Sequence, residues 1–299
     1  MSAHRSVLDH VLGLVAAAPW AESLVLRGSM TMASWVGDAA RPPGDLDWVV
    51  WAPDAVSIEA LDPYPHLERR DLVSPEAGRP HEIWTFQDPD PERDARAARD
   101  GSRDTYETMH EQLTALVARH PRTVEGVILD AGGVSCQRLD GYAYASSADG
   151  AQSRMLIPWV TPGGEAGDLR MDLAYDEVML DRAVHTPVRR AGGHAPVTVR
   201  TASRELSLAW KLHWLTVDQA VSGVSAMKDV YDAVLLAELD GIELSRRLRR
   251  MVRAADEAEP LLRPANIARW TIDGDPPGGD PAPWLARLGA AADRLVWTS

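Results

Sequence analysis

The sequence predicts an α+β fold, a mixed sheet flanked by helices and followed by a helical C-terminal lobe. Three observations carry this expectation. Strand-like and helix-like segments alternate up to about residue 198; from about Thr201 helical periodicity continues without strand signals; and 45% hydrophobic against 25% charged residues is the balance of a well-cored globular chain. The 299 residues suffice for two domains, read as 1–198, an α/β domain with an insertion around 52–165, and 199–299, a helical domain.

Taken in order, Ser6 to Ala18 spaces Val7, Val11, Leu14 and Val15 at helical intervals and stops at Pro19. Ser23 to Leu26 reads as a short strand, Gly28-Ser29 as a turn and Met30 to Val36 as helix. After the loop Gly37 to Gly44, Asp45 to Trp51 has strand composition. Proline and charge dominate from Ala52 to Gly101, where only His81 to Phe86 suits a strand. Arg103 to His120 places Met109, Leu113, Leu116 and Val117 on one helical face. Val124 to Leu129, Arg154 to Val160 and Leu169 to Leu173 suit strands. Ser203 caps a helix through Val217, Ala226 to Leu239 is a second, Glu243 to Ala255 a third and basic one, and Trp284 to Val296 the last.

The longest stretch without Asp, Glu, Lys or Arg, His10 to Ala21, contains a proline and is far shorter than the ~18 apolar residues of a membrane span. With no cleavable leader pattern and Cys136 as the single cysteine, a cytoplasmic protein is expected, without a membrane partner. A net charge of -13 opposes indiscriminate binding to a phosphate backbone, so any nucleic-acid contact must be local. The spacings of a Walker loop, an HExxH zinc helix, GxSxG and GxGxxG are all absent. His185, His194 and His213 read as loop or packing residues rather than ligands.

What remains is an ordered set: Gly28-Ser29 before a helix, Asp45-Leu46-Asp47 on a strand, and Asp172 between apolar neighbours on another. Residues i and i+2 of a strand point to one face about 6 to 7 Å apart. Two ionised carboxylates at that spacing repel by roughly 2 to 3 kcal/mol at an effective dielectric near 20. A hard divalent ion, Mg²⁺ or Mn²⁺, relieves this through oxygen ligands, and Asp172 on a neighbouring strand would complete the set. Gly28 lets a backbone approach phosphates, and Ser29 offers a hydroxyl and amide at a helix start. Taken singly, a Gly-Ser pair is a turn, an alternate-aspartate strand a solvated face, and Asp172 uninformative; order and context together favour a site.

On these residues the sequence resembles the nucleotidyltransferase superfamily, with its Gly-Ser turn, helix, Dx[DE] strand and later lone carboxylate. It departs in the 15 residues between Ser29 and Asp45, a long loop at Arg41-Pro42-Pro43-Gly44. Glu205 to Leu212, containing Lys211, and Lys228-Asp229-Val230-Tyr231-Asp232 narrow the resemblance to the AbiEii toxin family. Of the 31 basic residues only Lys211 and Lys228 are lysine, and both fall in these segments. A compact ammonium suits a phosphate where a guanidinium fork does not. The structural alternative for Lys211 is an interhelical ion pair with Asp229, and the two are compatible.

The resemblance implies a nucleotidyltransferase-type fold and transfer of a nucleoside monophosphate from an NTP co-substrate to an acceptor. Asp45, Asp47 and Asp172 would be metal ligands and catalytic, with Lys211 and Asp229 also catalytic, and Gly28, Ser29 and Lys211 would bind the triphosphate. The implied acceptor is tRNA or another RNA, and the implied partner a cognate antitoxin. Alternatives are a nucleotidyltransferase for a small molecule such as an aminoglycoside, or a non-catalytic nucleotide-fold binding protein. Arg246, Arg247, Arg249, Arg250 and Arg253 read as a solvated helix or a local RNA phosphate contact. Tyr142, Tyr144 and Trp159 read as packing residues or base-stacking platforms.

Overall fold

The computed structural model describes residues 2–50, 67–73, 80–86, 109–139, 152–175, 177, 179–254, 260–277 and 279–297, with backbone alone for 67–73, 80–86, 139 and 254. The chain enters through α1 (Ala3–Ala16), capped by the Ser2 hydroxyl accepting from the Arg5 amide. Strands β1 (Leu24–Arg27), β2 (Leu46–Val50), β3 (Leu67–Val73), β4 (Pro80–Phe86), β5 (Ile128–Leu129), β6 (Ser135–Leu139), β7 (Gln152–Val160), β8 (Ala166–Ala174), β9 (Val184–Val188) and β10 (Val197–Thr201) follow. Between β1 and β2 lies α2 (Ser29–Val36), and a helix over 109–119, α3, precedes β5. Later come α4 (Arg204–Val221), β11 (Val224–Ala226), α5 (Met227–Ala237), α6 (Arg246–Ala254), α7 (Pro264–Ile267), β12 (Thr271–Asp273) and α8 (Ala282–Ala292).

Two compact units emerge. One comprises Met1–Leu26, Asp45–Glu177 and His185–Arg200; the other Arg27–Gly44, Val178–Val184 and Thr201–Ser299. The first is built on a sheet of order β5-β7-β8-β2-β1-β10-β9, with β6 also paired to β7. It is mixed, as expected: β2 runs parallel to β8, and β7 antiparallel to β8. Strand alternation sends Leu46, Trp48, Met155, Ile157, Met171 and Leu173 into the core, all nearly inaccessible to solvent. Helix α1 lies against β8 with Val7, Val11, Leu12 and Val15 buried, and the spacing that predicted α3 buries Met109, Leu113, Leu116 and Val117. Trp159 on β7 stands opposite Gly167 on β8, where a Cβ would sit 2.6 Å from the indole; the residue is glycine because the ring occupies that space.

The second unit is mostly helical. Helix α4 packs against α5 and α6, α5 against α2 and α8, and α7 against α8. Its buried seam is Leu206, Leu208, Leu212 and Leu215 from α4, and Val230, Ala233, Val234 and Ala237 from α5. The Ser203 cap is observed, its hydroxyl accepting from the Leu206 amide at 3.0 Å.

Two expectations about elements are corrected. Val124 to Leu129 is a strand only at Ile128–Leu129: the chain turns at Gly126 (φ 87°), the Thr123 amide bonds the Val127 carbonyl, and Val124 is 86% exposed. Strands do occur after Thr201, because β11 and β12 pair in parallel over three residues each, too few to show alternation. Strands β5, β6 and β7, from within the 52–165 range, belong to the main sheet. Tyr142 and Tyr144 lie outside the described residues, and Trp159 is a buried packing residue. No helix among the described residues is long and apolar enough to cross a membrane.

Candidate active site

The carboxylates of the first unit converge through sheet register. Asp45 immediately precedes β2, Asp47 lies within it, and Asp47 is the direct parallel partner of Asp172 on β8. With Leu46, Trp48, Met171 and Leu173 buried on one face, the aspartates are left on the other. Arg154 is Asp172's antiparallel partner from β7 and clamps it with both nitrogens of its fork, Nε to Oδ1 at 2.8 Å and Nη2 to Oδ2 at 2.9 Å. Arg170, two residues before Asp172, donates to Asp45 Oδ2 and has its Nε 3.7 Å from Asp172 Oδ2. Three carboxylates and two guanidiniums thus share one face of three adjacent strands. The arginines offset the repulsion that the aspartate spacing alone would produce.

The second unit holds the glycine turn and the lysine motif. Gly28 has φ 76° and ψ -156°, a conformation essentially restricted to glycine, and the chain turns there into α2. Ser29 opens that helix with a buried Oγ that has no hydrogen-bond partner among the described residues. A buried hydroxyl of this kind fits an incoming acceptor atom such as a phosphate oxygen.

Lys211 on α4 bonds Asp229 at 2.5 Å and lies 3.3 Å from Asp232, both on α5. Its side chain is 7% exposed and that of Asp232 0%. Burial by itself would lower the Lys211 pKa, yet the two carboxylates outweigh it and hold the ammonium above its ordinary value. Burial likewise pushes Asp229 up, but Lys211 prevails and keeps it below the usual carboxylate range. The interhelical pair that the sequence offered as the structural alternative is therefore present.

Arg41 completes this cluster with two-nitrogen contacts to Asp232, the shortest 2.9 Å, while the Tyr231 hydroxyl donates to the Ala39 carbonyl at 2.6 Å. Together they tie the long loop after α2 to α5. A cavity of about 730 Å³ is lined by Arg41, Lys228, Tyr231, Asp273 and neighbours at the start of α5.

In comparison with known families, a family model described as nucleotidyl transferase AbiEii toxin, type IV TA system, aligns with residues 12–276. The chain belongs to the AbiEii family. Among curated proteins and solved structures the comparisons return no match. As a member of the AbiEii nucleotidyltransferase toxins the chain is an enzyme, and its mixed sheet with flanking helices and helical C-terminal region is the nucleotidyltransferase arrangement. The matched span contains every residue of both clusters.

Sequence reasoning missed Arg154, Arg170 and Arg41, and left Asp232 without a role. The signal for Arg154 and Arg170 lay in their polar phase on strands of otherwise apolar alternation; Arg41 carried none, since its partner is distant in sequence. AbiEii enzymes are nucleotidyltransferases, a class that generally employs a divalent metal. Among the described residues no group of three or more His, Cys, Asp or Glu side chains is gathered closely enough to hold an ion. The donor chemistry fits nonetheless: the three carboxylates supply hard oxygen ligands at the sheet register of β2 and β8.

Proposed function

We propose that this AbiEii enzyme transfers a nucleoside monophosphate from an NTP to the hydroxyl of an RNA acceptor, tRNA being the implied one, with a cognate antitoxin as its regulator. The observation that carries the reading is the in-register facing of Asp47 and Asp172, with Asp45 on the same sheet face. Asp45, Asp47 and Asp172 would hold Mg²⁺ or Mn²⁺, which when bound neutralises the triphosphate and activates the attacking hydroxyl.

The acceptor oxygen forms a bond to the α-phosphorus, the bond from that phosphorus to the oxygen bridging to the β-phosphate breaks, and pyrophosphate leaves. The Asp172 carboxylate takes the proton from the acceptor hydroxyl. Ser29 Oγ and the α2 amides bind the triphosphate beside the Gly28 turn, and the Lys211 ammonium balances charge on the leaving pyrophosphate, with Asp229 orienting Lys211. Exposed Arg246, Arg247 and Arg250 on α6 support a local RNA contact despite the net charge of -13.

The test is incubation with each α-labelled NTP, Mg²⁺ and either total RNA or a panel of aminoglycosides. Label in RNA is expected; label in an aminoglycoside would replace the acceptor assignment while retaining the chemistry.

A further inference from the structure

Each guanidinium on the acidic face occupies oxygens that a divalent cation also requires. Arg154 takes both oxygens of Asp172, and Arg170 takes one of Asp45. The two kinds of cation compete for the same lone pairs. The partners differ in freedom: the aspartates are nearly buried, with side-chain exposures of 8% for Asp172 and 14% for Asp45, whereas Arg154 and Arg170 are 32% and 41% exposed. Their long stems carry the guanidiniums toward solvent, whereas Asp172 is set within β8. Arg170 is also incompletely satisfied, since its buried Nε has no hydrogen-bond partner among the described residues and only a 3.7 Å approach to Asp172.

Charge arithmetic points the same way. Arg154 and Arg170 are counter-charges to Asp172 and Asp45, so these carboxylates are held against their mutual repulsion while no divalent ion is bound. A triphosphate brought to this face needs counter-cations of its own, and a guanidinium matches phosphate as well as carboxylate geometry.

We infer that Arg154 and Arg170 are exchangeable counter-cations: they hold Asp172 and Asp45 when no divalent ion is present, give them up when one binds, and turn to the nucleotide phosphates. This rests on reading the acidic face as the metal and nucleotide site. It makes the arginines positioning residues that couple metal binding to nucleotide binding.

The test is a Mn²⁺ titration of the full chain, free ion being followed by electron paramagnetic resonance, with and without an α,β-methylene NTP analogue. Arg154→Gln, Arg170→Gln and the double variant are compared with wild type, and Asp47→Asn serves as the control for site occupancy. Without nucleotide, each single variant should bind Mn²⁺ about fivefold tighter, the scale of one exposed charge pair removed from competition. With the analogue, the double variant should lose most of the mutual strengthening between metal and nucleotide.

Arginines that merely brace the carboxylates predict the opposite direction, weaker Mn²⁺ binding, and that result or an unchanged affinity overturns the inference. Should a glutamine variant lack a native circular dichroism spectrum, Arg154→Lys and Arg170→Lys decide, because the point charge loses the fork and must also tighten Mn²⁺. Binding that survives Asp47→Asn overturns the site reading together with the inference; Asp47-dependent binding without tightening overturns the inference alone.

Discussion

Removing a carboxylate from the acidic face has a different cost at each position. From the sequence, Asp45→Ala and Asp47→Ala should both leave the fold intact, because they relieve repulsion. For Asp45 the reason changes, since Arg170 already balances it. Asp45→Ala and Asp172→Asn each leave a partly exposed guanidinium without its carboxylate and should cost about 1 kcal/mol, the upper end for surface pairs. All three positions should lose transfer, and Asp172→Asn should retain more nucleotide binding than turnover, because the amide keeps volume but accepts no proton. Thermal melts run beside single-turnover transfer separate the two effects. At Gly28, with φ 76° and ψ -156°, an alanine is strained by about 1 to 3 kcal/mol, which a lowered melting temperature of Gly28→Ala reports.

Between elements, the Lys211 contact joins α4 to α5 inside the helical unit, so Lys211→Ala strands Asp229 and Asp232 in a buried setting. Breaking such a pair costs about 3 kcal/mol, and the Arg41 fork on Asp232 limits the loss. If the ammonium also serves the leaving group, transfer falls a further 10² to 10³-fold, about the loss of one electrostatic catalytic contact. Stability depends on pH in a defined sense. The Lys211 pKa is raised above 10.5, so its contribution is complete below that value and disappears as pH rises through the folded pKa. The Asp229 pKa is lowered below 3.8, so its contribution is complete above that value and disappears as pH falls through the folded pKa. The melting difference between wild type and Lys211→Met should therefore be flat from about pH 5 to 9 and shrink in acid.

Across β7 and β8, Gly167→Ala pushes a methyl into the Trp159 ring and should cost about 1 to 3 kcal/mol by overpacking, while Gly163→Ala in the same hairpin, whose Cβ would meet only Thr161 Oγ1 at 3.8 Å, should be silent in the same melts. Long elements with a continuous apolar stripe, such as α1, α3 and α4, were legible in the sequence because burial writes a helical period. Strands β6, β11 and β12 were not, being too polar or too short to show one. The Arg154 clamp required the β7–β8 register, which no local pattern encodes.

For the whole molecule, the carboxylates, the glycine turn and the lysine motif stood out in the sequence by residue type and order, without reference to tertiary pairing. Their counter-charges were hidden because Arg41 and Arg154 depend on tertiary pairing. With RNA as the proposed acceptor, a chain of net charge -13 needs a local basic surface to hold it. Arg246→Gln with Arg250→Gln should raise the KM for RNA and lower the salt slope of binding by about 1 per lost phosphate contact, with kcat little changed. Transfer titrated against RNA at several salt concentrations reads both quantities.

The most direct test is single-turnover transfer from an α-labelled NTP to RNA by wild type and Asp47→Asn at equal folded concentration. Asp47 faces Asp172 in register, and its replacement keeps side-chain volume while removing one charge from the acidic face. Label should enter RNA with wild type and be absent with Asp47→Asn, whose melting temperature should stay near that of wild type. Equal transfer by the folded variant would contradict the assignment of this face to catalysis.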